Sequence, residues 1–159
     1  MSTPLGRAWA PALLWLAVIA LESTPLASAE NTGSILRPLL TFLCGAISPL
    51  RFVQIHSLLR KAGHFFGYAV LSLVMARAWW ATLELHAGRD LLSDICNRWS
   101  LRAAALALLS TLAVAGLDEW HQGFLLSRTG SPADVALDAM AGVFAQMALI
   151  VVSGVGRSN

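Results

Sequence analysis

Residues 139–156 read AMAGVFAQMALIVVSGVG, a run from Ala139 to Gly156 without a single charged side chain. About 18 to 20 apolar residues in a helix cross the ~30 Å hydrocarbon core of a bilayer. Three shorter charge-free windows precede it, from Ala8 to Leu21, Ala62 to Ala76 and Ala103 to Leu117. Each reaches spanning length if the residues at its ends enter the interface. Arg and Lys do so by snorkelling, and Trp favours that zone. Trp79-Trp80, Trp99 and Trp120 stand at such ends.

Composition carries the same message. The chain has 159 residues, 57% of them hydrophobic with glycine left out, and 13% charged. Its mean hydropathy is +0.65. A soluble domain is roughly 45–50% apolar with glycine included and about 25% charged. Eleven basic and nine acidic side chains are too few to cover a soluble globule of this size. The cations are scattered, with no run longer than Arg60-Lys61, which excludes a basic nucleic-acid face. A disordered chain and an ordinary cytosolic enzyme are excluded as well. The expected fold is all-α, a polytopic membrane bundle of about four transmembrane helices forming one domain over 1–159. The expected spans are approximately 9–27, 59–80, 100–120 and 132–153. Pro38 to Leu50 is apolar but short and bracketed by Pro38 and Pro49, so it reads as a re-entrant or interfacial segment in the first loop.

Arg7, the apolar run after it and Ala27-Ser28-Ala29 have the look of a signal peptide. Glu22 interrupts that run and Pro25 follows, which favours a retained first span. Cys44 and Cys96 fit neither a disulfide framework nor a zinc site and read as small buried apolar residues. Arg7, Arg77, Arg89, Arg98, Arg102 and Arg157 fall on one side, with Arg37, Arg51, Arg60, Lys61 and Arg128 on the other. Six against five places both termini in the cytoplasm.

The polar residues inside or beside the spans gather at one end. Lys61, His64 and Tyr68 fall at i, i+3 and i+7 at the start of the second span. Asp118-Glu119-Trp120-His121-Gln122 closes the third. Arg128 follows, and Asp134 and Asp138 open the fourth at i and i+4. With alternating spans these three stretches share one side of the membrane. Glu84, His86, Arg89, Asp90, Asp94 and Arg98, on the opposite side, read as a solvated connector.

Ser131-Pro132-Ala133-Asp134 is also good helix-start chemistry, so Asp134 reads equally as a capping acid. A lone histidine such as His64 is commonly a packing residue. Asp138 is costly unless paired, with Arg128 or His64 as candidate partners. Ala141, Gly142 and Ala145 allow close helix approach, and Gln146 extends that stripe as an interhelical hydrogen bonder. The cluster suits a binding site for an anionic or lipid-linked ligand, a structural ion-pair network, or a divalent cation on His64, His121 and Glu119. The spacing is not the HExxH pattern, and there is no nucleophile elbow or phosphate loop. No cofactor is called for beyond that possible cation.

The string Leu59-Arg60-Lys61-Ala62-Gly63-His64-Phe65-Phe66-Gly67-Tyr68-Ala69-Val70-Leu71 resembles the RKxxHFxxYxxL opening of the second span of VanZ-like membrane proteins. Asp118 to Phe124, Arg128-Thr129-Gly130-Ser131 and Asp134-Val135 resemble that family's DExxQxF…R-x-G-S-xx-DV block. Gly67 stands where many members carry Glu, and Asp138 where Asn is common. The resemblance implies a small bacterial membrane protein of about four spans that keeps its first one, in a family named for a teicoplanin-resistance component. On that footing the chain is expected in the bacterial inner membrane, among membrane lipids. Its cluster would engage an anionic envelope ligand, either a lipid-linked cell-wall component or a glycopeptide antibiotic. A membrane-embedded metal-dependent hydrolase or transferase and a non-catalytic assembly partner are the alternatives.

Overall fold

Hydroxyl side chains and prolines set where the helices begin. In the computed structural model, which describes residues 3–86, 100–124 and 131–155 (side chains of 153–155 excepted), five α-helices follow one another. Helix α1 (Pro4–Glu22) starts on Thr3, whose hydroxyl accepts the Gly6 N–H at 3.2 Å, with Pro4 at the first helical position. It ends five residues before the expected limit of the first span. Pro25 holds Thr24 in an extended conformation, and a short 3₁₀ turn (Pro25–Ala27) follows. Helix α2 (Ala29–Cys44) is capped by Ser28 and closed by Gly45, whose φ of +78° suits glycine alone among the common residues. Ser48 and Pro49 open α3 (Pro49–His86). Ser100 caps α4 (Leu101–Gln122) through the Ala103 N–H at 3.1 Å. Ser131 caps α5 (Pro132–Val155) through the Ala133 N–H at 3.2 Å.

Helices α1, α3, α4 and α5 are each long and apolar enough to cross a membrane, which makes the chain a multi-pass helical membrane protein. Among the described residues there is no strand. Helix α3 is the axis of the bundle: α1, α4 and α5 all pack on it, and α4 and α5 pack on each other. The packing is inverted relative to a soluble domain. The buried positions are mostly small, including Ala12, Ala78, Ala107, Ala115, Ala141 and Ala145, while Leu13, Leu14, Leu109, Phe144, Met147 and Val151 are exposed. Lipid tails are as apolar as leucine, so large side chains gain nothing by leaving them. Small residues let backbones approach and gain dispersion contacts instead.

Two further expected boundaries change. The second span was expected at 59–80, but α3 runs 38 residues, about 57 Å at 1.5 Å per residue. That is nearly twice the hydrocarbon thickness of ~30 Å. Charge marks where a helix leaves lipid, and nothing between Pro49 and Arg60 stops it from continuing. The window from Pro38 to Leu50 is not one segment either. Its first half belongs to α2, which starts at Ala29 and carries Pro38 on its exposed side, and Pro49 already opens α3. Helix α2 lies against the overhanging start of α3: Thr32 Oγ1 meets His56 Nε2 at 2.9 Å, and Arg37 stacks over Phe52. Its far half exposes Leu39, Phe42 and Leu43, as an interfacial helix does. Cys44, expected to be buried, is exposed at the end of α2. Cys96, Trp99 and most of the connector after His86 lie outside the described residues.

Candidate functional site

The end of the bundle where α3 enters and α4 leaves holds most of the buried polar groups. Tyr68 of α3 is 2% exposed and donates its hydroxyl to Asp118 Oδ2 of α4 at 2.9 Å. One turn earlier on α3, His64 stacks near Tyr68 with ring centroids 6.3 Å apart. Its Nδ1 lies 3.7 Å from Oδ2 of Asp138 on α5, an ion-pair contact rather than a hydrogen bond. Asp138 has no solvent exposure, whereas the His64 side chain keeps 27% of its own. The i, i+4 spacing of His64 and Tyr68 therefore puts one acceptor-bearing helix against each ring: α5 against the imidazole, α4 against the phenol.

Glu119 does something the sequence does not suggest. Its Oε2 accepts the Ser131 N–H at 2.7 Å. In a capping box that N–H is taken by the acid at the third helical position, here Asp134, which stays half-buried beside the junction. Glu119 thus ties the end of α4 to the start of α5. Gln122, one turn from Asp118, is buried. Among the described residues, Asp118 Oδ1, both Asp138 oxygens and Gln122 Nε2 have no hydrogen-bond partner.

Deeper in the bundle, Ser72 donates to the Gly142 carbonyl at 3.2 Å and accepts from Gln146 Nε2 at 2.9 Å. A Cβ on Gly142 would stand 3.3 Å from Thr111 and 3.4 Å from Leu108, so α3, α4 and α5 meet closely there.

The chain matches no protein-family model, no curated protein and no solved structure.

Of the ten residues singled out in the sequence, six converge: His64, Tyr68, Asp118, Glu119, Gln122 and Asp138. Asp134 lies at the rim. Lys61 and His121 are exposed, with no hydrogen bond or ion pair among the described residues. Lys61 stands seven residues before Tyr68, about 10 Å further out, whereas α4 continues only about 6 Å past Asp118. The face it shares with His64 has run beyond its neighbours. Arg128, the other partner suggested for Asp138, lies outside the described residues. No three His, Cys, Asp or Glu side chains among the described residues are grouped as metal ligands, so the set His64, His121 and Glu119 is not assembled.

Sequence reasoning missed the contribution of α1. Ile19 and Glu22 line a cavity of about 10 Å³ together with His64, Gly67, Tyr68 and Asp118. Trp15 also donates its indole N–H to the Gly67 carbonyl at 2.8 Å. The signal was present: the end of a first span lies on the same side as the start of the second, and Glu22 is the acid standing there. A cavity of that size holds about one water. Anything larger must meet the cluster at its rim, where His64 and Asp134 are accessible.

Proposed function

We propose that the chain is a VanZ-like protein of the bacterial cytoplasmic membrane, with both termini in the cytoplasm and the polar cluster at the outer leaflet. There the cluster engages an anionic envelope ligand, either a lipid-linked cell-wall component or a glycopeptide antibiotic. The observation that carries this reading is the convergence of three buried carboxylates, Asp118, Glu119 and Asp138, on one histidine and one tyrosine at a single bundle end. Ionisable groups within spans are expensive, and close helix packing here is already provided by Ala141, Gly142, Ala145 and Gln146. A cluster of this kind does work other than packing.

In this reading Arg128 and Lys61 meet negative charge on the ligand, and His64 and His121 donate hydrogen bonds or relay protons. Asp138 fixes the His64 ring, and Asp118 fixes Tyr68. The test is substitution of His64, Glu119, Arg128 and Asp138 one at a time in an expressing bacterium, with protein abundance matched. The envelope phenotype, read as reduced growth inhibition by teicoplanin in cells expressing the wild-type protein, is expected to be lost while the protein stays folded. Unchanged phenotypes at matched abundance overturn the reading.

A second reading, a non-catalytic assembly partner, is favoured by the Glu119–Ser131 contact, which serves helix pairing. It predicts that the same substitutions lower abundance and stability together. The metal-dependent alternative draws no support from its proposed ligands.

A further inference from the structure

The small cavity between α1, α3 and α4 has a floor and a rim of different kinds. Ile19, Tyr68 and Asp118 line it as buried residues, whereas Glu22 is exposed and His64 half-buried. Two carboxylates, one from the last residue of α1 and one from α4, therefore border a single water-sized space.

Asp118 decides what that space can hold. It is 9% exposed; its Oδ2 accepts the Tyr68 hydroxyl and its Oδ1 has no hydrogen-bond partner. The Tyr68 bond fixes the carboxylate, so Oδ1 is an oriented acceptor without a donor, which is costly in a buried site. Tyr68 has given its one hydrogen to Asp118 and keeps lone pairs of its own. His64 is matched by Asp138, which leaves the charge of Asp118 for another group. Glu22 already has an interaction, but a carboxylate offers about four acceptor positions and still serves at the rim.

We infer that this cavity receives a primary ammonium group. A space of about 10 Å³ admits one water-sized group. An ammonium nitrogen with its three hydrogens is such a group, and a trimethylammonium is not. It donates to Asp118 Oδ1, to the Tyr68 oxygen and to Glu22, and its carbon leaves past the His64 rim. A hard metal ion needs a closed shell of oxygens, whereas Ile19 makes one side of this cavity carbon, and no metal-ligand group forms among the described residues. The ammonium belongs either to an ethanolamine phospholipid of the surrounding leaflet or to a soluble amine. The site goes beyond the anionic-ligand reading and stands without it.

The test is thermal unfolding of the full-length protein in detergent with methylammonium, tetramethylammonium or sodium chloride at equal ionic strength. Methylammonium is expected to raise the midpoint saturably, and the other two are not. Asp118→Asn keeps an acceptor for Tyr68 but presents an NH₂ to the cavity. It should weaken the apparent methylammonium affinity roughly 10- to 100-fold, as loss of a hydrogen bond to a charged group does. Glu84→Gln, at the far end of α3, leaves that affinity intact, and so does Arg128→Gln. If Asp118→Asn fails to fold, the wild-type ranking of the three salts decides. Native mass spectrometry with phosphatidylethanolamine and phosphatidylcholine of identical chains names the source. Preferential retention of the former assigns the headgroup, and equal retention beside an intact methylammonium effect assigns a soluble amine. Equal shifts from the three salts, a larger one with sodium, or an undiminished effect in Asp118→Asn overturns the site. So does a methylammonium effect that appears only in Arg128→Gln, because the chain itself then fills the cavity.

Discussion

Replacing Tyr68 by Phe removes one oxygen atom from the interior of the bundle and leaves the shape of the ring. The phenol is 2% exposed and donates to Asp118 Oδ2 at 2.9 Å. Without it, neither Asp118 oxygen has a partner among the described residues. Interhelical hydrogen bonds in membranes average about 0.6 kcal/mol with a maximum near 1.7. Bonds to carboxylates are about twice as strong as neutral ones. The Tyr68–Asp118 coupling should therefore be about 1–2 kcal/mol, a factor of roughly 5 to 30 in the unfolding equilibrium.

The order of the single costs follows from the same argument. Tyr68→Phe strands a buried carboxylate and should cost about 1–3 kcal/mol. Asp118→Leu leaves the Tyr68 hydroxyl without its acceptor but strands no carboxylate, and should cost less, since an unmade bond costs more at a charged group than at a neutral one. The double variant replaces both partners by apolar groups and should cost no more than Asp118→Leu alone. Reversible unfolding in mixed micelles, read by far-UV circular dichroism, gives the four values of the cycle. Additivity within about 0.3 kcal/mol, or a harmless Tyr68→Phe beside a damaging Asp118→Leu, refutes the reasoning.

Gly142→Val should destabilise the bundle by about 1–3 kcal/mol, as overpacking does, because a Cβ there already stands 3.3 Å from Thr111; thermal unfolding in detergent measures it. Glu119→Ala leaves the Ser131 N–H without its acceptor and should speed proteolysis at the α4–α5 junction, for a loss of about 1–3 kcal/mol. Thr32→Val removes the hydroxyl that meets His56. Amide exchange should then quicken in α2 by about fivefold, for a bond worth near 1 kcal/mol, and stay unchanged in α4 and α5.

The four spans are legible because lipid imposes a length and forbids unpaired charge, so charge-free runs such as Ala139 to Gly156 locate them. Helix limits outside the lipid follow other rules. Pro25 ends α1 and Ser28 starts α2 by local chemistry, while α3 continues beyond Arg60 because charge alone does not break a helix in water. The convergence of His64, Tyr68, Asp118 and Asp138 is legible because helical spacing and span alternation together fix which end each residue occupies. The partnership of Glu119 with Ser131 is not legible, since Asp134 satisfies the local capping pattern equally well. Only the approach of α4 to α5 decides between them. The exposure of Lys61 is hidden for a related reason: a shared helical face says nothing about where the neighbouring helix stops.

The side of the membrane on which the His64–Asp138 end lies tests the central claim most directly. Ala133 is exposed in the first turn of α5 and uses only its backbone N–H in the cap. In a background with Cys44→Ser and Cys96→Ser, Ala133→Cys should react in whole cells with a membrane-impermeant maleimide added from outside. Labelling only after the cytoplasmic face is opened would contradict an outward-facing envelope site.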